Sequence, residues 1–199
     1  MKKIIITEGQ FNHVVKHMVN EGTDKNKIYH QAGFKNFSEL KDILTYGLRK
    51  HDNGEANGVW FSVGSLFYSG TDAPLVLSLP KTDEVRDMFG FNPYDWRGSS
   101  VVIATKDIPI KFLTVESCII LKYQFKNGGY FGYLTMQKDK EHSKLLSMTY
   151  ENISGWDKDN EYIIYEDMYQ ILFGHPIDPK EKEMVLKNLP NFKFENLLQ

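Results

Sequence analysis

Apolar and polar positions follow two different periods along this chain, and the two periods alternate. Short runs rich in Val, Ile, Phe and Tyr are typical of β-strands. They predict strands at 3–6, 27–30, 58–63, 75–79, 101–104, 112–123, 130–136 and 161–165, with 168–173 extending the last. The strand at 27–30 ends in His30, and the residues that follow it are predicted to open into a loop.

Several segments between the predicted strands have apolar residues at helical spacing. Phe11, Val14, Val15 and Met18 recur at i, i+3, i+4 and i+7, which predicts an amphipathic helix that ends near Gly22. Further helices are predicted at 36–48, with Ser38 as the N-cap and Gly47 as the stop, at 82–90 and at 181–189. The segment 92–100 is interpreted as a loop, 139–150 as a helix or a loop, and the end of the chain as loose.

The order of these elements predicts a mixed α/β fold of the α+β class. With 199 residues the chain is long enough for one core, and it contains no repeat or convincing linker. We therefore predict a single domain over 1–199, with 1–22 as a helical lead-in and 178–199 as a C-terminal tail. Aromatic residues make up 14% of the chain, so rings are available for the core and for stacking on a planar ligand.

Charge and cysteine content narrow the classes of function. The formal net charge is −2, which gives no bulk basic field for nucleic acid. The single cysteine, Cys118, cannot form an intramolecular disulfide, and its apolar neighbours favour a buried position. The first apolar run is too short for a signal peptide or membrane span, so we expect a cytoplasmic protein that does not act at a membrane.

Two patterns from other functional classes are present but incomplete. His13 and His17 have the i, i+4 spacing of two zinc ligands on a helix, but Val14 stands where the metalloprotease motif has its catalytic Glu. A solvated helix face is the ordinary interpretation, and no metal is expected. Glu116, in another strand-like run, is a rival candidate for any catalytic carboxylate.

Three segments, in order, resemble the ADP-ribosyltransferase superfamily and most closely its poly(ADP-ribose) polymerase-like branch with the His-Tyr-Glu signature. The first is IYHQAGFKNFSELKDILTYGL at 28–48, a strand ending in His followed by a short helix. The second, GVWFSVGSLFYSG at 58–70, is similar to the glycine-aromatic-Phe strand of the family. The third, NEYIIYEDMYQIL at 160–172, resembles the strand of the catalytic glutamate and is the most specific match.

The resemblance implies a split antiparallel β-sheet core with short flanking helices, and NAD as a substrate. Glu161 would be the catalytic carboxylate. ADP-ribose transfer passes through an oxocarbenium-like transition state, which a carboxylate near the ribose stabilises. His30 would hydrogen-bond a ribose hydroxyl of the adenosine half of NAD.

The same resemblance implies a nicotinamide site at the second segment. Trp60 and Tyr68 are the positions whose rings would sandwich the nicotinamide, and Ser65 would bond its carboxamide. Gln31 stands where the family usually has a Gly whose main chain meets the nicotinamide amide. Trp60 replaces the signature Tyr, and the loop between Phe61 and Ser65 is shorter than in the polymerase branch.

These residues lead to one main hypothesis and two alternatives. The main hypothesis is a mono-ADP-ribosyltransferase that modifies a macromolecule, protein rather than nucleic acid, and releases nicotinamide. Mono-modification is favoured because the chain is barely larger than a minimal catalytic core. The first alternative is a catalytically inactive binding or inhibitory protein that keeps the transferase fold, as Gln31 and Trp60 allow. The second is a structural or interaction protein with an inherited cleft. The acceptor, biological role and oligomeric state are left open.

Overall fold

The fold is described from a computed structural model, which defines residues 24–51, 57–64, 75–124, 131–138 and 160–199. The strands are β1 (Lys27–Ala32), β2 (Val59–Val63), β3 (Leu75–Pro80), β4 (Val101–Ala104), β5 (Thr114–Gln124), β6 (Phe131–Gln137), β7 (Glu161–Tyr165) and β8 (Phe192–Glu195). The helices are α1 (Phe37–Tyr46), α2 (Asp83–Phe89), α3 (Pro93–Gly98), α4 (Glu166–Phe173) and α5 (Pro179–Asn188), with a 3₁₀ turn at Ile110–Phe112. The predicted α+β class is confirmed. The pairs β1–β2, β2–β4, β3–β5, β5–β6 and β5–β7 are antiparallel, and the pair β7–β8 is parallel.

The described residues belong to two compact units. The first contains 24–30, 49–51, 57–64 and 79–107, and the second contains 31–48, 75–78, 108–124, 131–138 and 160–199. The single-domain assignment of the whole chain stays a prediction. No helix in the described ranges is long and apolar enough to cross a membrane.

In the first unit, β2 lies between β1 and β4. Tyr29 is opposite Ser62, and Trp60 is opposite Ile103. Because side chains alternate across a strand, the buried Phe61 points to the face opposite Trp60. Its ring packs edge-on against Phe91 at 5.7 Å between centroids. This aromatic packing fixes the orientation of β2.

In the second unit, β5 is the strand at which the sheet divides. Its residues Ser117 and Cys118 pair with β3 on one side and β6 on the other, whereas residues from Leu121 to Gln124 pair with β6 and β7. A strand has two edges, and β6 pairs along β5 on both sides of a register shift between Ile119 and Leu121. Therefore β3 and β7 occupy the same edge of β5, one after the other.

Three of the predicted elements are wrong. Within the predicted loop at 92–100, Pro93–Gly98 form helix α3, because the Asn92 side chain caps the helix by accepting from Tyr94 N at 2.9 Å and Pro93 stands at its first position. Residues 168–173 continue helix α4 rather than a strand. Its buried side chains, Met168, Tyr169 and Leu172, have helical spacing, and Gly174 ends it in the left-handed conformation.

The third error concerns the end of the chain, which is not loose after residue 189. Residues 192–195 form β8, where Phe192 is opposite Tyr162 in the parallel pair with β7. Smaller differences are that Asn36, not Ser38, caps α1 through Glu39 N at 3.0 Å, and that β1 continues past His30 to Ala32.

Candidate functional site

His30 is held in one orientation by the main chain of β2. Its Nδ1 lies 2.7 Å from the carbonyl oxygen of Trp60, and its ring centroid is 5.5 Å from that of Phe61. A carbonyl oxygen can only accept a hydrogen bond, so Nδ1 carries the proton and donates it. In the neutral ring Nε2 then keeps its lone pair, and no group in the described part of the chain bonds it.

The surroundings of His30 favour the neutral form. Burial is the main cause and lowers the pKa of His30 below its ordinary value of 6.5. The bond to the Trp60 carbonyl opposes this shift, and the charge of His51 adds to it. At neutral pH the imidazole therefore presents Nε2 as a hydrogen-bond acceptor, which suits a donating hydroxyl group.

Trp60 contributes its main chain and its side chain separately. The carbonyl orients His30, while the indole points to the opposite face of β2 from Phe61 and is 48% exposed. Phe61 is the core residue of this pair. An indole of this exposure retains free ring surface for a planar ligand, but its contact with His30 is through the backbone only.

Gln31 follows His30 in β1 and belongs to the second unit. Its side chain is half-buried, and its Nε2 is buried without a hydrogen-bond partner among the described residues. Buried amide donors are almost always paired in folded proteins. This unpaired donor is therefore an exceptional feature of the structure.

Glu161 is the first residue of β7 and has an exposed side chain. Its Oε1 lies 3.2 Å from Nζ of Lys193, and the two side chains are 60% and 55% exposed. A pair at this exposure is worth only about 0–1 kcal/mol. Lys122 of β5 and Lys193 of β8 both stand opposite Ile163, so both lie on the face of β7 that carries Glu161.

The residues on either side of Glu161 are fixed more firmly than Glu161 itself. Asn160 is buried, and its carbonyl accepts from Nδ2 of Asn191 at 2.8 Å. The ring of Tyr162 is buried and stacks on Phe192 with 4.7 Å between centroids and 14° between planes. Asn160 and Tyr162 are therefore held in place by their contacts, while the carboxylate of Glu161 between them faces solvent.

The rival carboxylate, Glu116, has a local partner. Its Oε1 accepts a 2.5 Å hydrogen bond from the hydroxyl of the buried Ser78 in β3. Cys118, two residues later, is buried and its thiol donates to the carbonyl of Met168 at 3.6 Å. Burial raises the pKa of the Cys118 thiol, and the charge of Asp167 adds to that rise, so the thiol is not activated as a nucleophile.

In the first unit the His30 ring bonds the main chain of Trp60, but the Trp60 indole points to the other face of the strand, so the two side chains are not brought together. Gln31 and Glu161 belong to the second unit. Ser65 and Tyr68, predicted at the nicotinamide site, lie outside the described residues, as do His13 and His17. No group of three or more His, Cys, Asp or Glu in the described ranges could hold a metal ion.

Sequence reasoning missed two features of the Glu161 environment. It did not find Lys193, because that contact depends on the parallel pairing of β8 with β7. It also did not find Asn191, which anchors Asn160. The signal that was available for both is the short Phe-Lys-Phe-Glu alternation at 192–195, which has the period of a strand.

Comparison of the chain with protein-family models, with curated proteins and with solved structures found no match.

Proposed function

We propose that this chain is a mono-ADP-ribosyltransferase that uses NAD as substrate, transfers ADP-ribose to a macromolecule and releases nicotinamide. The observation that carries the proposal is His30. Its ring is fixed by the Trp60 carbonyl, is favoured in the neutral form and keeps Nε2 as an acceptor. This is the state needed to accept a hydrogen bond from a ribose hydroxyl of the adenosine half.

Glu161 is the proposed catalytic residue. In the reaction the bond between ribose C1′ and the nicotinamide nitrogen breaks, and nicotinamide leaves with the bonding electron pair. A nucleophilic atom of the acceptor then bonds C1′ and loses its proton. A carboxylate beside C1′ stabilises the developing positive charge. Glu161 suits this role because its two neighbours in the chain are anchored and, among the described residues, its carboxylate is bound only by an exposed ion pair with Lys193.

The remaining parts of the proposal follow the resemblance. Trp60, with its half-exposed indole, and Tyr68 are proposed as the nicotinamide-stacking residues, with Gln31 and Ser65 as further NAD contacts. The shared edge of β5 supports an ADP-ribosyltransferase-like split sheet. We place the reaction in the cytoplasm and favour a protein acceptor, since a net charge of −2 provides no broad basic field for nucleic acid.

A second candidate is an inactive binding or inhibitory protein with the same fold. It is favoured by Gln31, which replaces the small glycine of the family, and by the ion pair between Glu161 and Lys193. The two functions differ in turnover, because an inactive protein would bind NAD without consuming it.

The test is incubation of the purified chain with NAD labelled in its adenylate group and with cell lysate. The transferase should move label to macromolecules and release nicotinamide, and Glu161→Ala should abolish both. Calorimetric binding of NAD without consumption would establish the inactive protein instead. Absence of any NAD binding would overturn both functions and favour a structural or interaction role.

A further inference from the structure

The carboxylate of Glu161 is held at one of its two oxygen atoms. Oε1 lies 3.2 Å from Nζ of Lys193, and among the described residues Oε2 has no hydrogen-bond partner. A glutamate side chain turns about three bonds, the last of them over a broad range, so a strand that fixes its Cα does not fix its carboxylate. A contact at Oε1 alone narrows the orientations of the carboxylate and leaves Oε2 for a substrate.

Lys193 reaches Glu161 from a strand whose position is fixed on its other face. The two neighbours of Lys193 in β8 point away from it. The ring of the buried Phe192 stacks on a ring of β7, and the ring of Phe194 lies 4.8 Å from Nζ of Lys182 in α5. Aromatic contacts therefore hold the main chain on both sides of Lys193, while its ammonium group stands on the face that carries Glu161.

A second lysine on the same face has a different contact. Lys122 of β5 stands opposite Ile163, as Lys193 of β8 does. Its Nζ, however, lies over the ring of Phe37, 4.9 Å from the centroid. Both lysines place a positive charge on this face, so its general electrostatic field does not distinguish them. What distinguishes Lys193 is direct contact with the carboxylate of Glu161.

We propose that Lys193 is a positioning residue for Glu161, which holds Oε1 of the carboxylate and so leaves Oε2 aimed at the ribose of NAD. This inference rests on the proposed function and adds one residue to it. Lys193 touches no reacting atom in this role and acts through Glu161 alone. A charged group that is oriented before the substrate arrives stabilises the transition state more, because it does not have to reorganise during the reaction.

The exposure of the ion pair limits the size of this effect. The side chains of Glu161 and Lys193 are 60% and 55% exposed. A pair of this kind contributes at most about fivefold to a rate, which is about 1 kcal/mol at about 1.36 kcal/mol for each tenfold change. Salt screens such a pair. A positioning role therefore predicts a small, salt-dependent change in kcat rather than a loss of activity.

The experiment measures nicotinamide release from NAD by the full chain at low and at high salt, with the Tm of each variant. Lys193→Met removes the ammonium group and keeps a long side chain, whereas Lys193→Arg keeps a cation. Lys122→Met is the matched control, because it removes a positive charge from the same face. Lys193→Met is also combined with Glu161→Gln.

At low salt Lys193→Met should lower kcat about three- to fivefold and change KM by less than about twofold. Lys193→Arg and Lys122→Met should keep the wild-type kcat. Salt at about 1 M should bring the kcat of the wild type and that of Lys193→Met together. In the Glu161→Gln background Lys193→Met should have no further effect, because the effects of two changes in one contact do not add.

An equal kcat in the wild type and Lys193→Met would overturn the inference, as would a higher kcat in Lys193→Met, which would mean that the cation weakens the carboxylate. An equal loss in Lys122→Met would overturn it by assigning the effect to the general field of the face. A loss that salt does not change and arginine does not restore would make Lys193 a structural residue. A wild-type chain that releases no nicotinamide would overturn the proposed function itself, and the role of Lys193 with it.

Discussion

Replacing His30 by Phe tests the state of the imidazole on which NAD recognition is proposed to depend. The change retains a ring beside Phe61 and removes one neutral N–H···O=C bond of 2.7 Å to Trp60. Such a bond contributes about 1 kcal/mol. For a chain of this length that free energy corresponds to a decrease in Tm of about 2–4 °C.

The pH dependence gives a second, independent signature. The pKa of His30 in the folded chain lies below the ordinary value of 6.5, so between the two values the unfolded chain binds more protons. The stability that neutral His30 provides is therefore complete above about pH 6.5 and is lost as the pH falls through the folded-state pKa. The His30→Phe variant lacks this pH-dependent contribution to stability, because phenylalanine does not titrate.

The assay is urea unfolding of wild type and His30→Phe at pH 7.5 and at pH 5. We expect the wild type to be more stable at pH 7.5 and the difference to shrink at pH 5. Replacement of His175, whose exposed ring contacts the Pro176 carbonyl at 2.9 Å, serves as the control for loss of an imidazole. A difference that stayed constant or grew in acid would refute the assignment of a neutral, half-buried ring.

Three further predictions concern stability and reactivity. Gly47→Ala should destabilise the chain by about 3 kcal/mol in urea unfolding, because Gly47 has φ +97 and an added Cβ would overlap the backbone at Ile108 and Ile110. The control, Gly33→Ala, meets no atom within 4 Å and should change stability little; equal effects would contradict this. Cys118 should resist thiol reagents until denaturant is added, because burial raises the pKa of its thiol, and rapid labelling of the native chain would show the packing to be wrong. Lys193→Met should change the free energy of unfolding by less than about 1 kcal/mol and less still in high salt, whereas a larger, salt-independent loss would mean that the ion pair is not solvent-screened.

The sequence predicted the strands well where their side chains form uninterrupted β-rich runs. Residues 101–104 and 161–165 are strands with the predicted bounds. Secondary structure was predicted wrongly where the amino-acid composition of a segment is compatible with both a strand and a helix. Met168 to Phe173 is apolar enough for a strand, but the acidic residues Glu166 and Asp167 in the first turn favour a helix start.

The sequence predicts those features of the candidate site that depend only on neighbouring positions in the chain. The exposure of Glu161 and the burial of Tyr162 follow from alternation along one strand. The hydrogen bond from His30 to the Trp60 carbonyl could not be predicted, because every residue has a main-chain carbonyl and the sequence does not show which one a side chain will meet. Lys193 could not be assigned to Glu161 either, since 32 residues separate them and only the pairing of β8 with β7 joins them.

The central claim is tested most directly by the rate of nicotinamide release from NAD by the purified wild type and Glu161→Gln. Glu183→Gln, which makes the same change at an exposed position of α5, is the control. We predict release by the wild type and by Glu183→Gln, and a rate at least about a hundredfold lower in Glu161→Gln with an unchanged Tm. Equal release by all three proteins, or none from the wild type, would contradict the assignment of Glu161 as the catalytic carboxylate.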